Sequence, residues 1–464
     1  MPQPDVTATL AELAATAQPT APDRDRARVL LADYLAVAGA GATADSAVTA
    51  RNSLLNDSAG AAPVFGASRP AATRDAALVN GISAHSLELD DTHEPSSSHP
   101  GTVVWTALLA AAAGPGGGAA TAGRVLDSAV VGYQVMASLG ELLGPAELYA
   151  QGLHPTAVCG VFGAAAAAGR LAGLGPAAVR QAFGIALSLS AGSMAYLTEG
   201  AWTKRFHSGS AAAGGILAAE LAAGGFSGPL DAFGDPHGLM HIYGGARPAA
   251  HASAVLAHAA GLPAVHETSV KFHPCCRYMH GVMDLLAAYR AGGGGTDGLT
   301  RIDCGVLSGG MSLVGEPLAR KRVVTSTVDA QFSMPFGAAL VLRRGRSSLA
   351  DFTGAARLAP ELQPWLDITE VHTSSELDAA YPAQWGAEVT LTFASGETTR
   401  LHTAAFRGSP GWPAGREELA DKAAGLIGAA TATRLLAAVD ALAGDAAFDP
   451  AGLAGLSEPA GVGR

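Results

Sequence analysis

Apolar residues recur at helical spacing along most of the first 265 residues. Leu10, Leu13 and Ala14 share one face. In RDRARVLLADYLAVAG, Val29, Leu30, Ala32, Tyr34 and Val37 share another. Residues 6–38 therefore carry a helical period, and Asp23 after Pro22 offers a helix start. The same period predicts helices over about 73–84, 102–114, 120–142, 156–173, 176–190, 208–224 and 249–260. Gly and Pro punctuate them, as in GPGGG (114–118), GLGP (173–176) and GGFSGP (224–229). No strand alternation precedes about residue 265, so this part reads as a mostly α-helical domain.

The texture then changes. RIDCGVLSGGMSLVG (301–315) mixes β-branched residues with glycine. EVTLTFASGETTRLHT (388–403) alternates Val389, Leu391 and Phe393, turns at Ser395-Gly396, and resumes with Thr399 and Leu401, a hairpin signal. Helical spacing returns at about 276–291 and 334–343, so residues 266–403 read as an α+β domain. After RGSPGWP (407–413), the stretch 416–443 is helical again, as a tail or as a return to the first domain. No internal repeat is present. GPGGG and AGGGG (291–295) fit neither GxGxxG between strand and helix nor GxxxxGK[ST], so no nucleotide cradle is expected.

Composition narrows the class. A chain of 464 residues exceeds one ordinary core, and 49% hydrophobic residues with only 15% charged is too apolar for disorder. The apolar stretches are alanine-rich and contain no run of about 18 strongly apolar residues, so no membrane span is expected. The formal net charge is −11 and no basic tract appears, which argues against nucleic acid. Four cysteines, two of them adjacent, make no disulfide framework. The N-terminus lacks a basic segment followed by an apolar one, so a cytoplasmic protein is the expectation.

Against this plain background four clusters stand out. HSLELDDTHEPSSSHPG (85–101) packs Glu88, Asp90, Asp91, Thr92, His85, His93 and His99 together. Asp90, Asp91, His93 and His99 could ligate a metal, though they fit no strong template. They could also cap a helix or perform acid–base chemistry. In GLHPTAVCGVFGAAAA (152–167), His154 precedes an Ala-rich helix whose N-terminal dipole favours a neutral imidazole. In TEGAWTKRFHSGSAAAGG (198–215), Lys204, Arg205 and His207 lead into a helix and could form an anion site. In SVKFHPCCRYMHG (269–281), Lys271, His273, Arg277, Tyr278 and His280 lie close together, and Arg277 offers a fork for a carboxylate. Cys275 and Cys276 suit packing better than zinc. Cations to hold carboxylates and histidines to move protons suit proton abstraction beside a carboxylate.

The clusters, together with DAQFSMPFGAAL (329–340) and RGSPGWPAGREEL, run in one order over nearly the whole chain, and in that order they resemble the MmgE/PrpD family. That family includes 2-methylcitrate dehydratase, cis-aconitate decarboxylase and iminodisuccinate epimerase. The resemblance implies a mainly α fold: a helical domain from residues 1–265 with 405–464, and a smaller α+β lid over 266–404. It implies a homodimer and neither metal nor cofactor. It places Asp90, Asp91, Thr92, His99, His154, Lys204, His207 and Lys271 in a cleft between the domains; Arg277, by its own fork, is a further candidate to bind substrate. Asp91 and Thr92 would orient groups, and Lys204 and Lys271 would hold carboxylates. His99 or His154 would move the proton; the helix dipole makes His154 the better base, and Asp90 or Asp91 beside His99 makes that ring the better acid. Family members often carry Asp where this chain has Glu88, and the decarboxylase branch has Tyr where this chain has Phe336. The expected activity is therefore a lyase, a dehydratase acting on a 2-methylcitrate-like acid. An epimerase or isomerase, or a non-catalytic anion binder, are the alternatives.

Overall fold

Small residues let the central helices touch backbone to backbone. A Cβ on Gly81 would sit 2.4 Å from the Cα of Gly209, and one on Gly209 would sit 2.1 Å from the carbonyl oxygen of Leu78. Helices Thr73–Ala84 and Thr203–Ala223 can approach this closely only because both positions are glycine. Helix Pro155–Ala172 lies against Thr203–Ala223, Ala122–Leu143 and Pro100–Ala113 and is almost wholly buried. It is long and apolar enough to cross a membrane by length and composition, and it forms the core of the helical layer.

The computed structural model describes residues 4–114, 120–244, 249–381 and 383–458. All but the first residue of the glycine-rich 114–118 stretch falls outside these. The fold is mainly α with a smaller α+β part. Most helices appear where the period places them, including Pro100–Ala113, Ala122–Leu143 and Pro176–Leu187. Residues 6–38 break into two helices, Val6–Thr16 and Ala21–Gly41. The second starts at Thr20, not at Asp23. Asp23 is the third helical residue, and its carboxylate accepts from the Thr20 backbone N–H at 2.7 Å in a capping box. The late helical stretch divides at Gly428, whose φ of 86° suits glycine, into Arg416–Ile427 and Ala429–Asp440. Both return to the first domain: Ile427, Leu435 and Val439 share a core with Leu30, Leu31 and Leu35.

Among the described residues, strands β1 (Thr92–His93) and β2 (Thr268–Ser269) form a two-residue antiparallel pair, pairing Thr92 with Ser269. Strands β3 (Leu299–Val306), β4 (Thr369–Thr373), β5 (Ala387–Phe393) and β6 (Thr398–Thr403) form a sheet in the order β4-β3-β5-β6. β3 and β4 are parallel; the other two pairings are antiparallel. The β5–β6 hairpin turns at Ser395-Gly396 as its alternation predicts. The run 301–315 is a strand only as far as Val306; Ser308–Val314 is helical. Helices His280–Ala291 and Met334–Arg344 cover the sheet, and this third core takes in Met194 and Tyr196 from the helical part.

Candidate active site

Four histidines come together at helix ends. His85 ends helix Thr73–Ala84, His99 caps the start of Pro100–Ala113, His154 caps the start of Pro155–Ala172, and His207 lies early in Thr203–Ala223. The His85 and His99 rings are 4.9 Å apart, His85 and His154 5.9 Å, and His154 and His207 5.4 Å. The β1–β2 pair then brings Lys271, two residues beyond β2, against this group.

His99, His154 and Thr92 line a small cavity of about 30 Å³ together with Lys204, Lys271, Glu88 and Arg277. Tyr149, Tyr196, Tyr278, Cys276 and Phe332 complete its wall. Burial pushes the tyrosine and cysteine pKa values up, so these groups stay protonated at neutral pH. Two wall residues, Glu88 and Ser97, adopt left-handed backbone with φ of 55° and 48°. Such positions cost a non-glycine residue roughly 1–3 kcal/mol and cluster at functional sites.

Glu88 joins the two lysines. Its Oε1 accepts from Lys204 Nζ, and its Oε2 lies 3.4 Å from Lys271 Nζ. Burial alone would raise the Glu88 pKa, but the two ammonium groups overcome it and hold the carboxyl down at about 2. Burial also works against the charge on Lys271, which is 0% exposed, yet Glu88 and Asp90 keep its pKa above the ordinary value. The anion at the Lys204 helix start is thus the protein's own. Arg277 is likewise paired, its Nη2 lying 3.1 Å from Glu94, and its guanidinium stacks on Phe406.

His99 is fixed in one tautomer. Its Nδ1 lies 2.8 Å from the Asp91 carbonyl oxygen and 3.0 Å from Asp90 Oδ2. Both are acceptors, so Nδ1 carries the proton and Nε2 keeps its lone pair. Thr92 Oγ1 is 3.3 Å from the same Nδ1. The expected protonated His99 is not what the surroundings favour. Burial outweighs Asp90, Lys271 and Lys204 oppose a further positive charge, and the His99 pKa falls to about 4. His154 is pushed well below the ordinary value, first by burial and then by His207 and Lys204. His207, whose Nδ1 lies 3.2 Å from His154 Nδ1, falls to about 4 by burial.

Several expected cleft residues lie elsewhere. Asp91 is behind the cavity, where Oδ1 accepts from the Gly101 N–H at 2.8 Å and Oδ2 from Tyr133 Oη at 2.5 Å. A Cβ at position 101 would meet Asp91 Oδ2 at 2.7 Å, so glycine is needed there. Burial raises the Asp91 carboxyl to about 7. It reaches the site only through its backbone carbonyl. Asp90 and His207 stand one layer back, holding His99 and His154. His93 faces away, to Ser96 Oγ at 2.8 Å and Glu267 Oε2 at 3.3 Å. Asp90, Asp91, His93 and His99 therefore do not make one ligand set. His273 bonds Asp284 and Ser347 outside the cavity. Phe336 is also remote: it is fully buried against Phe352, with ring centroids 5.5 Å apart. A hydroxyl at that position would not face the cavity.

The MmgE/PrpD N-terminal domain matches residues 7–265, and the MmgE/PrpD C-terminal domain matches 273–442. The chain belongs to the MmgE/PrpD family. Among curated relatives, it is 28% identical over 269 residues to cis-aconitate decarboxylase of Aspergillus terreus, covering 56% of this chain and 55% of that protein. It is 32% identical over 231 residues to a cis-aconitate decarboxylase-like protein, oryM, of Aspergillus oryzae, with 48% of each covered. It is 31% identical over 215 residues to human cis-aconitate decarboxylase, covering 46% of this chain and 44% of that protein. The chain thus spans about half the length of the curated relatives it matches.

Sequence reasoning left His85 and Glu88 without a role and did not single out Tyr149, Tyr196 or Phe332. Glu88 carried a signal, an acid in a charge-poor chain with lysines to answer it. His85 carried none beyond its place in the same stretch, since its neighbour His154 comes from a distant helix.

Proposed function

We propose that this protein is a cofactor-independent lyase acting on a small polycarboxylate, in which a histidine removes the proton beside a carboxylate. One observation carries the reading: His99 holds its proton on Nδ1 and presents an unprotonated Nε2 in a small buried cavity that also holds two lysines. A neutral imidazole is a base, not an acid, at neutral pH. Lys204 and Lys271 share one glutamate and keep N–H groups to spare. Those donors suit a substrate carboxylate and the negative charge that develops when the neighbouring C–H bond breaks. Base-first elimination is the chemistry of a hydro-lyase. The C–H electrons become the new C=C bond, hydroxide leaves the neighbouring carbon, and a proton returns to it from a protonated wall group such as Tyr196 or Tyr278. His99 then returns its proton to the tyrosinate through solvent, which restores both groups; His154, hydrogen-bonded to His207, stands beside His99 with ring centroids 6.2 Å apart. A 2-methylcitrate-like acid fits this description.

The relatives' names favour a second reading, a carboxy-lyase. There the C–CO₂ bond breaks, its electrons are held as an enolate against the lysines, and the carbon then takes a proton. The burial of Phe336 removes one sequence-based reason for setting this reading aside. Incubation of the purified protein with 2-methylcitrate and with cis-aconitate separates them. Water loss from the first supports the hydro-lyase, and carbon dioxide release from the second supports the carboxy-lyase. Inactivity on these and on a panel of related di- and tricarboxylates rejects both.

A further inference from the structure

The proposed reaction leaves one buried imidazole without work. His85 is 0% exposed, its Nδ1 donates to Asp90 Oδ2 at 2.9 Å, and its Nε2 has no hydrogen-bond partner. A buried polar atom in that condition needs an explanation. His85, His99 and His154 each offer one ring nitrogen, and these nitrogens all lie within 4.8 Å of one another.

We infer that His85, His99 and His154 form a binding site for a single divalent transition-metal ion, and that the ion and the substrate exclude each other. Three observations point the same way. Asp90 accepts the Nδ1 proton of His85 and of His99 with one oxygen, which fixes both rings with Nε2 free to donate a lone pair. A carboxylate behind the ligating histidines is the usual outer shell of an imidazole metal site. All three rings are buried, and all three residues sit at helix ends. The ligand set is three imidazoles, which suits zinc, cobalt, nickel or copper and not magnesium or calcium. Tetrahedral bonds of about 2.0–2.1 Å require the nitrogens to draw together by roughly 1 Å, a matter of side-chain rotation. Lys204 and Lys271 stand close by, and Glu88 and Asp90 offset them. A fourth ligand completing the tetrahedron would be a water or a small anion from the cavity. An ion held here takes the lone pair of His99 Nε2 that the proposed reaction uses. The metal is therefore an inhibitor and not a cofactor. The binding site stands on geometry alone, and only the exclusion rests on the proposed reaction.

Cobalt titration of chelator-treated protein tests the site without any assay of turnover. The expected result is a single Co2+ per chain with the visible absorption of a four-coordinate ion, displaced by Zn2+. His85→Gln should weaken binding about tenfold or more, while His93→Gln, which alters the nearby histidine facing away, should not. Should His85→Gln fail to fold, Cu2+ bound to the wild-type protein gives the same answer, since its electron paramagnetic resonance spectrum reports coupling to imidazole nitrogens. No stoichiometric binding, a spectrum without nitrogen coupling, or binding that survives His85→Gln in a folded protein overturns the site. If the protein turns over a substrate, Zn2+ should abolish turnover in proportion to occupancy, and full activity with the ion bound overturns the exclusion. Inactivity on every substrate rejects the proposed reaction and leaves the cobalt result to stand by itself.

Discussion

Asp90 Oδ2 lies 3.0 Å from Nδ1 of His99, so a fully buried carboxylate decides which nitrogen of that ring carries the proton. Burial works against its charge, yet the imidazoles of His85 and His99, with Lys271, hold the Asp90 carboxyl well below its ordinary pKa. Asp90→Asn keeps the shape but offers an amide that can donate as well as accept. The ring can then take the other tautomer. The variant should lose roughly 10²–10⁴-fold in kcat with little change in KM, the pattern for a group that sets a catalytic histidine's tautomer. Steady-state kinetics check it. An unchanged kcat would mean that the Asp91 carbonyl alone fixes the ring.

Glu88 sits between two ammonium groups, and Glu88→Gln removes the carboxylate bonded to both. Lys271 is fully buried and would keep its charge uncompensated on that side. Breaking one side of a buried pair costs on the order of 3 kcal/mol. The expected outcome is a lower Tm that recovers when a small dicarboxylate is added, by more than the wild-type protein gains. Glu88→Asp, which keeps the charge on a shorter arm, should lose less. A Tm equal to wild type in Glu88→Gln would show that the lysines do not need it.

The two lysines are not equivalent. Lys271 opposes protonation of His99 more strongly than Lys204 does. Both substitutions, Lys204→Met and Lys271→Met, should cost about 2–4 kcal/mol in kcat/KM if the ammonium groups face developing charge. Only Lys271→Met should also move the acid limb of the kcat/KM profile clearly upward in pH. Equal acid limbs in the two variants would count against this ordering.

Much of this arrangement could be read before the fold was known, and the reason is local. Alanine-rich helices announce themselves by period, and Gly or Pro at their ends marks the boundaries, as at Pro155 and Pro176. The hairpin around Ser395-Gly396 shows itself by alternation. The β1–β2 pair could not, because two residues carry no period, and β4 was hidden in TEVHT for nearly the same reason. Lys204, Lys271, His99 and His154 stood out as charge in a charge-poor chain. Their pairing did not, because pairing is a property of the fold: Glu88 meets lysines from two distant segments, and His85 meets His154 from another helix. The pKa of His99 was misjudged because a sequence shows the neighbouring acid and not the burial that outweighs it.

Three buried groups give the protein a defined response to acid, and their signs differ. Glu88 has its pKa depressed from 4.5 to about 2, so it stabilises the fold above about pH 4.5, and that contribution drains away as pH falls toward 2. His99 has its pKa depressed from 6.5 to about 4. The unfolded chain binds its proton first, so stability from this group is lost as pH falls from 6.5 to 4. Asp91 runs the other way. Its pKa is raised from 3.8 to about 7, the folded protein holds the proton longer, and stability falls as pH rises through that window. Between pH 4 and 6.5 Asp91 opposes His99, and His154 and His207, whose pKa values are also depressed, act with His99, so the Tm of the wild-type protein should climb with pH there, with Asp91 blunting the slope. Asp91→Asn removes one side of the balance. Its amide oxygen can still accept from Gly101, while its charge no longer titrates. The variant's Tm should therefore climb with pH from 4 to 6.5 more steeply than the wild type's. Calorimetry across that range decides it. Parallel curves for the two proteins would show that the Asp91 carboxyl titrates at its ordinary value in the fold, and that Tyr133 Oη donates to an ionised carboxylate instead of sharing a proton with it.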